Sequence, residues 1–357
     1  MALLEGRGSI DIDLDYCWAE AGVGWIWICV GGQAVSASSG CEACEGLDGL
    51  RTAYGYNFWE VAFKIGVIST AQYSGSIIQK TRLDKDMIID NSQEYYDAYK
   101  KHHVFDEIDH MMEFYDGISY SSLSFIPNGT RTIVNYEANI YQSIRTTLDS
   151  IKILLEVRHI SDAFVLIRKL FDTVLANIYL DVVREDKFDW MNSSVIKDLD
   201  EWLKKEHRIP RTERILKVLK NSNTTKDLYP WFGWDTYLKT NRSILDNYVH
   251  VNNYGSVLMN CPDLFIQDRE EQLKNASIIL NQIMMIHLAF TFYMNSQYMM
   301  SSDYMEFSEM GMTPPQGSEC WLAPFAQQAF DIFLKPHEKL AMFIKEHCPM
   351  DIEMNQK

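Results

Sequence analysis

Positive charge is scarce in this sequence. Its 33 lysines and arginines stand against 49 aspartates and glutamates, a formal net charge of -16 over 357 residues. No lysine precedes Lys64 and no histidine precedes His102. A chain this acidic is not expected to bind nonspecifically to nucleic acid or to an anionic membrane. A local basic patch is still compatible with it.

Several chemical signatures are also missing. The sequence has no Walker, dinucleotide-binding or HExxH motif and no internal repeat, which disfavours the enzyme classes built on those motifs. Its seven cysteines are odd in number and scattered, so they do not form a disulfide framework. The Cys41–Cys44 CxxC has no second ligand pair, and chance is favoured over zinc. We predict no metal and no cofactor.

The first residues differ from the rest in composition. Residues 1–20 are acidic where a secretory signal needs a positive segment and then an apolar one, which favours a cytoplasmic protein. Residues 1–70 form an atypical segment, interpreted as an appendage that is either partly β or poorly ordered. Aromatic and β-branched residues favour a strand at 25–30. A helical domain is predicted over 71–357.

The helical domain is predicted to be an all-α antiparallel bundle. A helix capped at Asn91 or Ser92 is expected to run to about Tyr115, before Gly117 breaks the helical pattern. Helices at 134–157 and 161–183, joined by a short connection, are predicted to pair antiparallel. A long helix at 268–298, an irregular stretch at 299–316 and a last helix at 324–343 follow. Polar residues interrupt 278–300, so we interpret it as a buried core helix and predict no membrane partner.

One stretch, 241–259, carries a polar stripe on a predicted helix. Arg242, Asp246 and His250 are spaced i, i+4 and i+8 on an otherwise apolar and therefore buried surface. Upstream, Arg168 and Asp172 lie in the apolar helix at 161–183. Either these two form an intrahelical ion pair, or Arg168 points into a polar pocket shared with the Arg242–His250 helix.

These residue types suit cleavage of a phosphodiester. His250 can exchange a proton near neutral pH, and Arg242 can clamp a phosphate. Asp246 or Asn247 could orient the imidazole. Asn253 and Tyr254 add hydrogen-bonding groups. The structural alternative places Arg242 at an exposed helix start and makes His250 a core histidine.

A basic segment precedes this stretch and is the natural surface for RNA phosphates. The alternative is a solvated face that balances nearby acids. Pro210 suits the first turn of a helix there. His103, Glu107 and His110 could also share a face, although a solvated face is favoured over a metal site. The basic residues proposed to bind substrate are Lys204, Lys205, Arg208, Arg211, Arg214 and Lys217.

SDAFVLIRKLFDTVLANIYL at 161–180 and RSILDNYVHVNNYG at 242–255 resemble HEPN-type all-α proteins. The similarity covers about 133–300 and is strongest to a bacterial abortive-infection branch. It implies a homodimer that brings two Arg–His helices together, and metal-independent ribonuclease activity in phage defence or stress. Arg242 and His250 match the catalytic pair, with Asp246 or Asn247 between them, at a wider spacing than the usual motif. The alternatives are a non-catalytic scaffold or sensor and a nucleotide- or anion-binding module.

Overall fold

The chain divides into two units, Met1–Asn91 and Ser92–Lys357. The structure, a computed structural model, describes residues 25–30, 33–38, 96–252, 254–261 and 268–354. The predicted boundary near residue 70 and the CxxC cysteines lie outside the described residues.

The first unit contains a pair of antiparallel strands. Strand β1 (Trp25–Val30) pairs with β2 (Gln33–Ser38), with Trp25 opposite Ser38. β1 coincides with the predicted strand.

The described part of the second unit is helical, as predicted. Short 3-10 turns and two π-helical turns connect its α-helices. The α-helices are α1 (Val104–Ser122), α2 (Tyr136–Glu156), α3 (Ile160–Lys187), α4 (Lys197–Leu203), α5 (Thr212–Asn221), α6 (Trp234–Tyr237), α7 (Ser243–Val249), α8 (Tyr254–Leu258), α9 (Arg269–Met294), α10 (Asp303–Glu309), α11 (Pro324–Ala329) and α12 (Glu338–His347).

Helix α3 lies at the centre of the bundle. It packs against α2, α5, α7 and α9, and its apolar residues are buried along its length. The α2–α3 pair confirms the two predicted helices and their short connection. The N-terminal residue of α3 is Ile160, one residue before the predicted Ser161–Asp162 cap, and α3 continues to Lys187.

Several predicted boundaries are wrong, and α1 continues through Gly117 to Ser122. The helix predicted from residue 91 breaks at 101–103, where the His102 ring accepts a hydrogen bond from the Val104 amide. Pro210 precedes α5 instead of lying in its first turn. The stretch at 299–316 contains α10, and the last predicted helix is divided into α11 and α12 by a π turn and Pro336, which cannot donate a backbone hydrogen bond.

Helix α9 is the one described helix long and apolar enough to span a membrane, and 67% of its most apolar window is buried inside the protein. Its polar residues bind partners in the core. His287 accepts from the Tyr115 hydroxyl at 2.6 Å through Nδ1 and donates to Asn177 at 2.8 Å through Nε2. Burial lowers the pKa of His287 to about 3, so the ring is neutral. This confirms the interpretation of α9 as a core helix.

A buried ionic cluster, which no sequence pattern predicted, joins α2, α3 and the C-terminal end of α9. Arg184 pairs with Glu137 and lies 3.4 Å from Asp181, and its guanidinium also donates to Asn295. Burial and the Glu137 carboxylate raise the pKa of Asp181 well above its usual range. Burial acts most strongly on the pKa of Glu137 and raises it, but the Arg184 charge and the hydrogen bonds from Asp181, Tyr298 and Arg184 together outweigh burial, so that pKa is lowered. The cluster therefore holds one arginine, one carboxylate and one protonated carboxyl.

This proton makes stability depend on pH. Because the pKa of Asp181 is raised in the folded state, its contribution is complete below the unfolded pKa, about 3.9, and is lost as pH rises toward the folded value. Asp181→Asn places a neutral side chain that can donate a hydrogen bond at this position at every pH. We expect the difference in melting temperature, variant minus wild type, to become more positive from pH 5 to pH 8.

The control is Asp198→Asn. Its hydrogen bond to Lys187, 2.7 Å long, lowers the pKa of exposed Asp198, so the carboxylate contributes at neutral pH and the contribution is lost on acidification. From pH 5 to pH 8 the control should therefore show no trend, because its contribution is complete above the unfolded pKa of about 3.9. If the melting temperatures of wild type and Asp181→Asn changed in parallel with pH, the proton assigned to Asp181 would be refuted.

Candidate functional site

The stretch at 241–259 is not one helix, and this corrects the prediction. A π turn (Leu238–Arg242) leads into α7, which ends at Val249, and α8 follows after a break at 250–252. At the break Asn252 donates to Asn247 through both its backbone amide and its side chain, each at 3.1 Å. Val251 has φ 49, which a β-branched residue rarely adopts. The side-chain contact between the two asparagines accompanies this left-handed backbone conformation at Val251.

A chain of charged side chains connects α3, α7 and α5. Arg168 donates through Nε to Asp246 Oδ1 at 3.0 Å and also pairs with Asp172. The other Asp246 oxygen lies 3.6 Å from Arg242 Nε, and Arg242 donates through Nη1 to Glu213 at 3.2 Å. Both predicted environments of Arg168 are therefore present, the intrahelical pair and the polar cluster shared with α7.

In this arrangement the two arginines are neutralised by three carboxylates, those of Asp172, Asp246 and Glu213. The Arg168 side chain is 13% exposed. Burial acts to lower its pKa, but its two aspartates raise it, so the guanidinium stays charged. Glu213 is 69% exposed, so a substrate phosphate could displace it from Arg242 at small cost.

His250 is the C-cap of α7 and is exposed, so it is not the core histidine of the structural alternative. Its ring has no hydrogen bond to any described residue. Neither Asp246 nor Asn247 orients it, because the first binds arginines and the second binds Asn252. Eight residues of helical rise separate Arg242 and His250 by about 12 Å.

Of the two neighbours predicted to bind substrate, Tyr254 lies among the described residues. Tyr254 is 73% exposed at the start of α8. Asn253 lies outside the described residues.

The predicted basic residues reach solvent. Lys204 pairs with Asp200 at 2.5 Å. The other five have no ion pair with any described residue. Helix α5 also carries Glu213, so its basic residues Arg214 and Lys217 lie on the helix that contacts Arg242. The five exposed cations without such a pair are Lys205, Arg208, Arg211, Arg214 and Lys217.

Three residues considered for a metal site do not converge. His103 lies 3.9 Å from Glu107, and Ser277 donates to that same carboxylate at 2.6 Å. His110 instead lies 3.3 Å from Glu113. Among the described residues no group of three acidic, histidine or cysteine side chains is placed to hold a metal ion.

Comparison with family models, with curated proteins and with solved structures finds no match to this chain. The resemblance to HEPN-type proteins stays a prediction, and the site rests on its own geometry. That geometry adds Glu213 to the predicted residues. Its signal in the sequence is an acid within a basic segment, but nothing in the pattern indicates that it meets Arg242.

Proposed function

We propose that this protein is a cytoplasmic, metal-independent endoribonuclease that acts as a homodimer in phage defence or a stress response. The observation that carries the proposal is the position of Arg242. It lies between the Arg168–Asp246 pair and the exposed basic helix α5, and the same helix that it opens ends at an exposed histidine. The resemblance to HEPN-type proteins supports the same assignment.

The proposed reaction uses the substrate's own nucleophile. His250 takes the proton of a ribose 2′-hydroxyl, the 2′ oxygen bonds to the adjacent phosphorus, and the bond from phosphorus to the 5′ oxygen breaks. Water protonates the leaving oxygen, so the products carry a 2′,3′-cyclic phosphate and a 5′-hydroxyl. Arg242 stabilises the charge that develops on the phosphate oxygens. Because the nucleophile belongs to the RNA, the reaction needs no metal.

A homodimer would solve a geometric difficulty. A separation of about 12 Å along one helix is too long for Arg242 and His250 to act on one phosphate. Exposed apolar side chains flank His250, and unpartnered apolar surface of this kind favours association. We infer that Arg242 of one protomer and His250 of the other form each site. The flanking residues are Val249, Val251, Tyr254 and Val257.

The direct test is incubation of the purified chain with fluorescent single-stranded RNA in EDTA. The proposal expects fragments ending in a 2′,3′-cyclic phosphate, and no cleavage of a matched strand with 2′-deoxyribose at every position. Intact RNA after prolonged incubation, or equal cleavage of the deoxy strand, would contradict it.

Glu213→Gln provides a gain-of-function test. Removing the carboxylate from Arg242 Nη1 leaves that guanidinium group freer to bind phosphate. We expect RNA affinity to rise about 2- to 5-fold at low salt, the range of an exposed ion pair, and the gain to shrink at high salt. Fluorescence anisotropy with labelled RNA measures both.

The matched control is Glu270→Gln, which changes net charge equally but removes an exposed pair with Lys274. Equal affinity gains in the two variants would mean that only net charge matters, and would remove Arg242 from the RNA surface.

The second candidate function is a non-catalytic helical scaffold or sensor. The full neutralisation of Arg168 and Arg242 by carboxylates favours it, since such pairs also serve to order packing. It predicts that Arg242→Ala lowers the melting temperature and leaves RNA intact at the wild-type level.

A further inference from the structure

A cleft of about 670 Å³ opens on the second unit, and His250 is not among its lining residues. Its walls come from the 3-10 turn Tyr229–Phe232, the π turn before α7, helix α9 and the segment 336–340. Cavities of roughly 300 to 1,000 Å³ are typical of small-molecule sites. The size alone fits a ligand of one or two rings.

One side of the cleft is aromatic and apolar, and other rings hold it in place. Phe232 stacks on buried Phe290 with ring centroids 5.3 Å apart, and Trp231 packs against Phe343 at 5.4 Å. Met285 also lines this side. Flat faces fixed in this way favour a planar ring as the ligand.

The cleft also presents two side-chain amides that are joined by a hydrogen bond. The Asn241 Nδ2 group donates to Gln282 Oε1, and Asn241 is 8% exposed. Among the described residues no partner remains for Asn241 Oδ1 or Gln282 Nε2. The pair thus offers Asn241 Oδ1 as a hydrogen-bond acceptor beside Gln282 Nε2 as a donor. This is the complement of a nucleobase edge, where an amino or imino donor lies beside a ring-nitrogen or carbonyl acceptor.

Local backbone geometry places these groups. The π-helical turn Leu238–Arg242 lines the cleft and carries Asn241, and a second π turn, Phe330–Leu334, precedes the lining segment 336–340. Single π turns are frequent at functional sites. Gly233 has φ 53, and a Cβ there would meet no atom within 4 Å, so the backbone of the wall is open to a ligand.

We propose that this cleft binds a purine base or nucleoside, with the ring against Trp231 and Phe232 and its edge on Asn241 and Gln282. At the exposed mouth, Lys339 faces solvent together with Glu338, so local charge does not favour a polyphosphate. The ligand is a neutral nucleoside or base.

The test is isothermal titration of the full chain with adenosine and with purine riboside, which lacks the amino donor. Adenosine should bind, and purine riboside should bind at least about 10-fold more weakly, because a site built on hydrogen bonds rejects an analogue that lacks one. Guanosine and AMP show whether the base and the phosphate alter affinity. No heat with millimolar adenosine, or equal affinities for adenosine and purine riboside, would overturn the proposal.

Two variants separate the site from a change in fold. Gln282→Glu replaces the donor by an acceptor of the same shape and should weaken adenosine binding about 10-fold. Gln316→Glu makes the same charge change at an exposed position and should leave binding unchanged. If Gln282→Glu fails to fold, Trp231→Ala at the exposed rim should weaken binding by removing the stacked ring. Unchanged affinity in the folded variant would overturn the proposal.

This inference does not depend on ribonuclease activity. His250→Ala should bind adenosine as wild type does, so failure of the cleft and failure of the cleavage site give different results.

Discussion

His250→Ala is expected to reduce RNA cleavage by about 100-fold or more, the range for loss of a general base. The imidazole is exposed and makes no hydrogen bond to any described residue, so its removal should leave the fold unchanged. We expect RNA affinity to stay near the wild-type value as well, because the basic surface and Arg242 remain in place. Single-turnover cleavage, anisotropy and thermal melting measure the three properties separately.

His347→Ala is the control, since that histidine is also exposed but lies on α12, where its ring hydrogen-bonds the Phe343 carbonyl at 2.8 Å. It should cleave at the wild-type rate. Equal cleavage by wild type and His250→Ala would assign any observed activity to other residues. A large fall in melting temperature for His250→Ala would support the scaffold alternative instead.

Arg184→Ala is expected to lower the free energy of unfolding by about 3–5 kcal/mol, the cost of removing one partner of a buried ion pair. The variant leaves Glu137, 1% exposed, without its guanidinium, and Asn295 without its donor. The cluster joins α2 and α3 to the C-terminal end of α9, so a loss there should weaken the whole bundle. Urea unfolding followed by circular dichroism measures the change.

Arg145→Ala is the matched control. Arg145 lies on α2, 31% exposed, and bridges Asp116 at 3.2 Å and Asp149 at 3.6 Å, so its loss should cost about 1 kcal/mol or less. A second control is Arg184→Met combined with Glu137→Gln. This double variant removes both charges and should recover much of the stability. Equal losses for Arg184→Ala and Arg145→Ala would show that the cluster is not a buried ionic site.

The helices that the sequence predicts best are those with an unbroken apolar period. The 134–157 and 161–183 predictions match α2 and α3 within a few residues, because apolar residues recur at helical spacing along both. Polar interruptions also indicated that α9 lies in the core, and His287 and Asn295 bind buried partners there. Such features depend on residues that are close together in the chain, so local sequence patterns predict them.

The features that were missed depend on contacts distant in the chain. Glu137 and Arg184 are 47 residues apart, and neither has a neighbour in sequence that indicates the other. The end of α7 was missed for a different reason. The spacing of Arg242, Asp246 and His250 continues a helical period, but the Asn247–Asn252 contact and the left-handed Val251 end the helix at Val249. The acidic partner of Arg242 comes from α5, which only the fold brings close.

Mixing two inactive variants tests the composite ribonuclease site most directly. Arg242→Ala and His250→Ala are purified separately, mixed, dissociated and reassociated. If each site takes Arg242 from one protomer and His250 from the other, a mixed dimer keeps one complete site. About one quarter of wild-type cleavage should then return, since half of the dimers are mixed. Wild-type cleavage with no recovery in the mixture would contradict the composite site, and absence of cleavage by the wild type would contradict the ribonuclease itself.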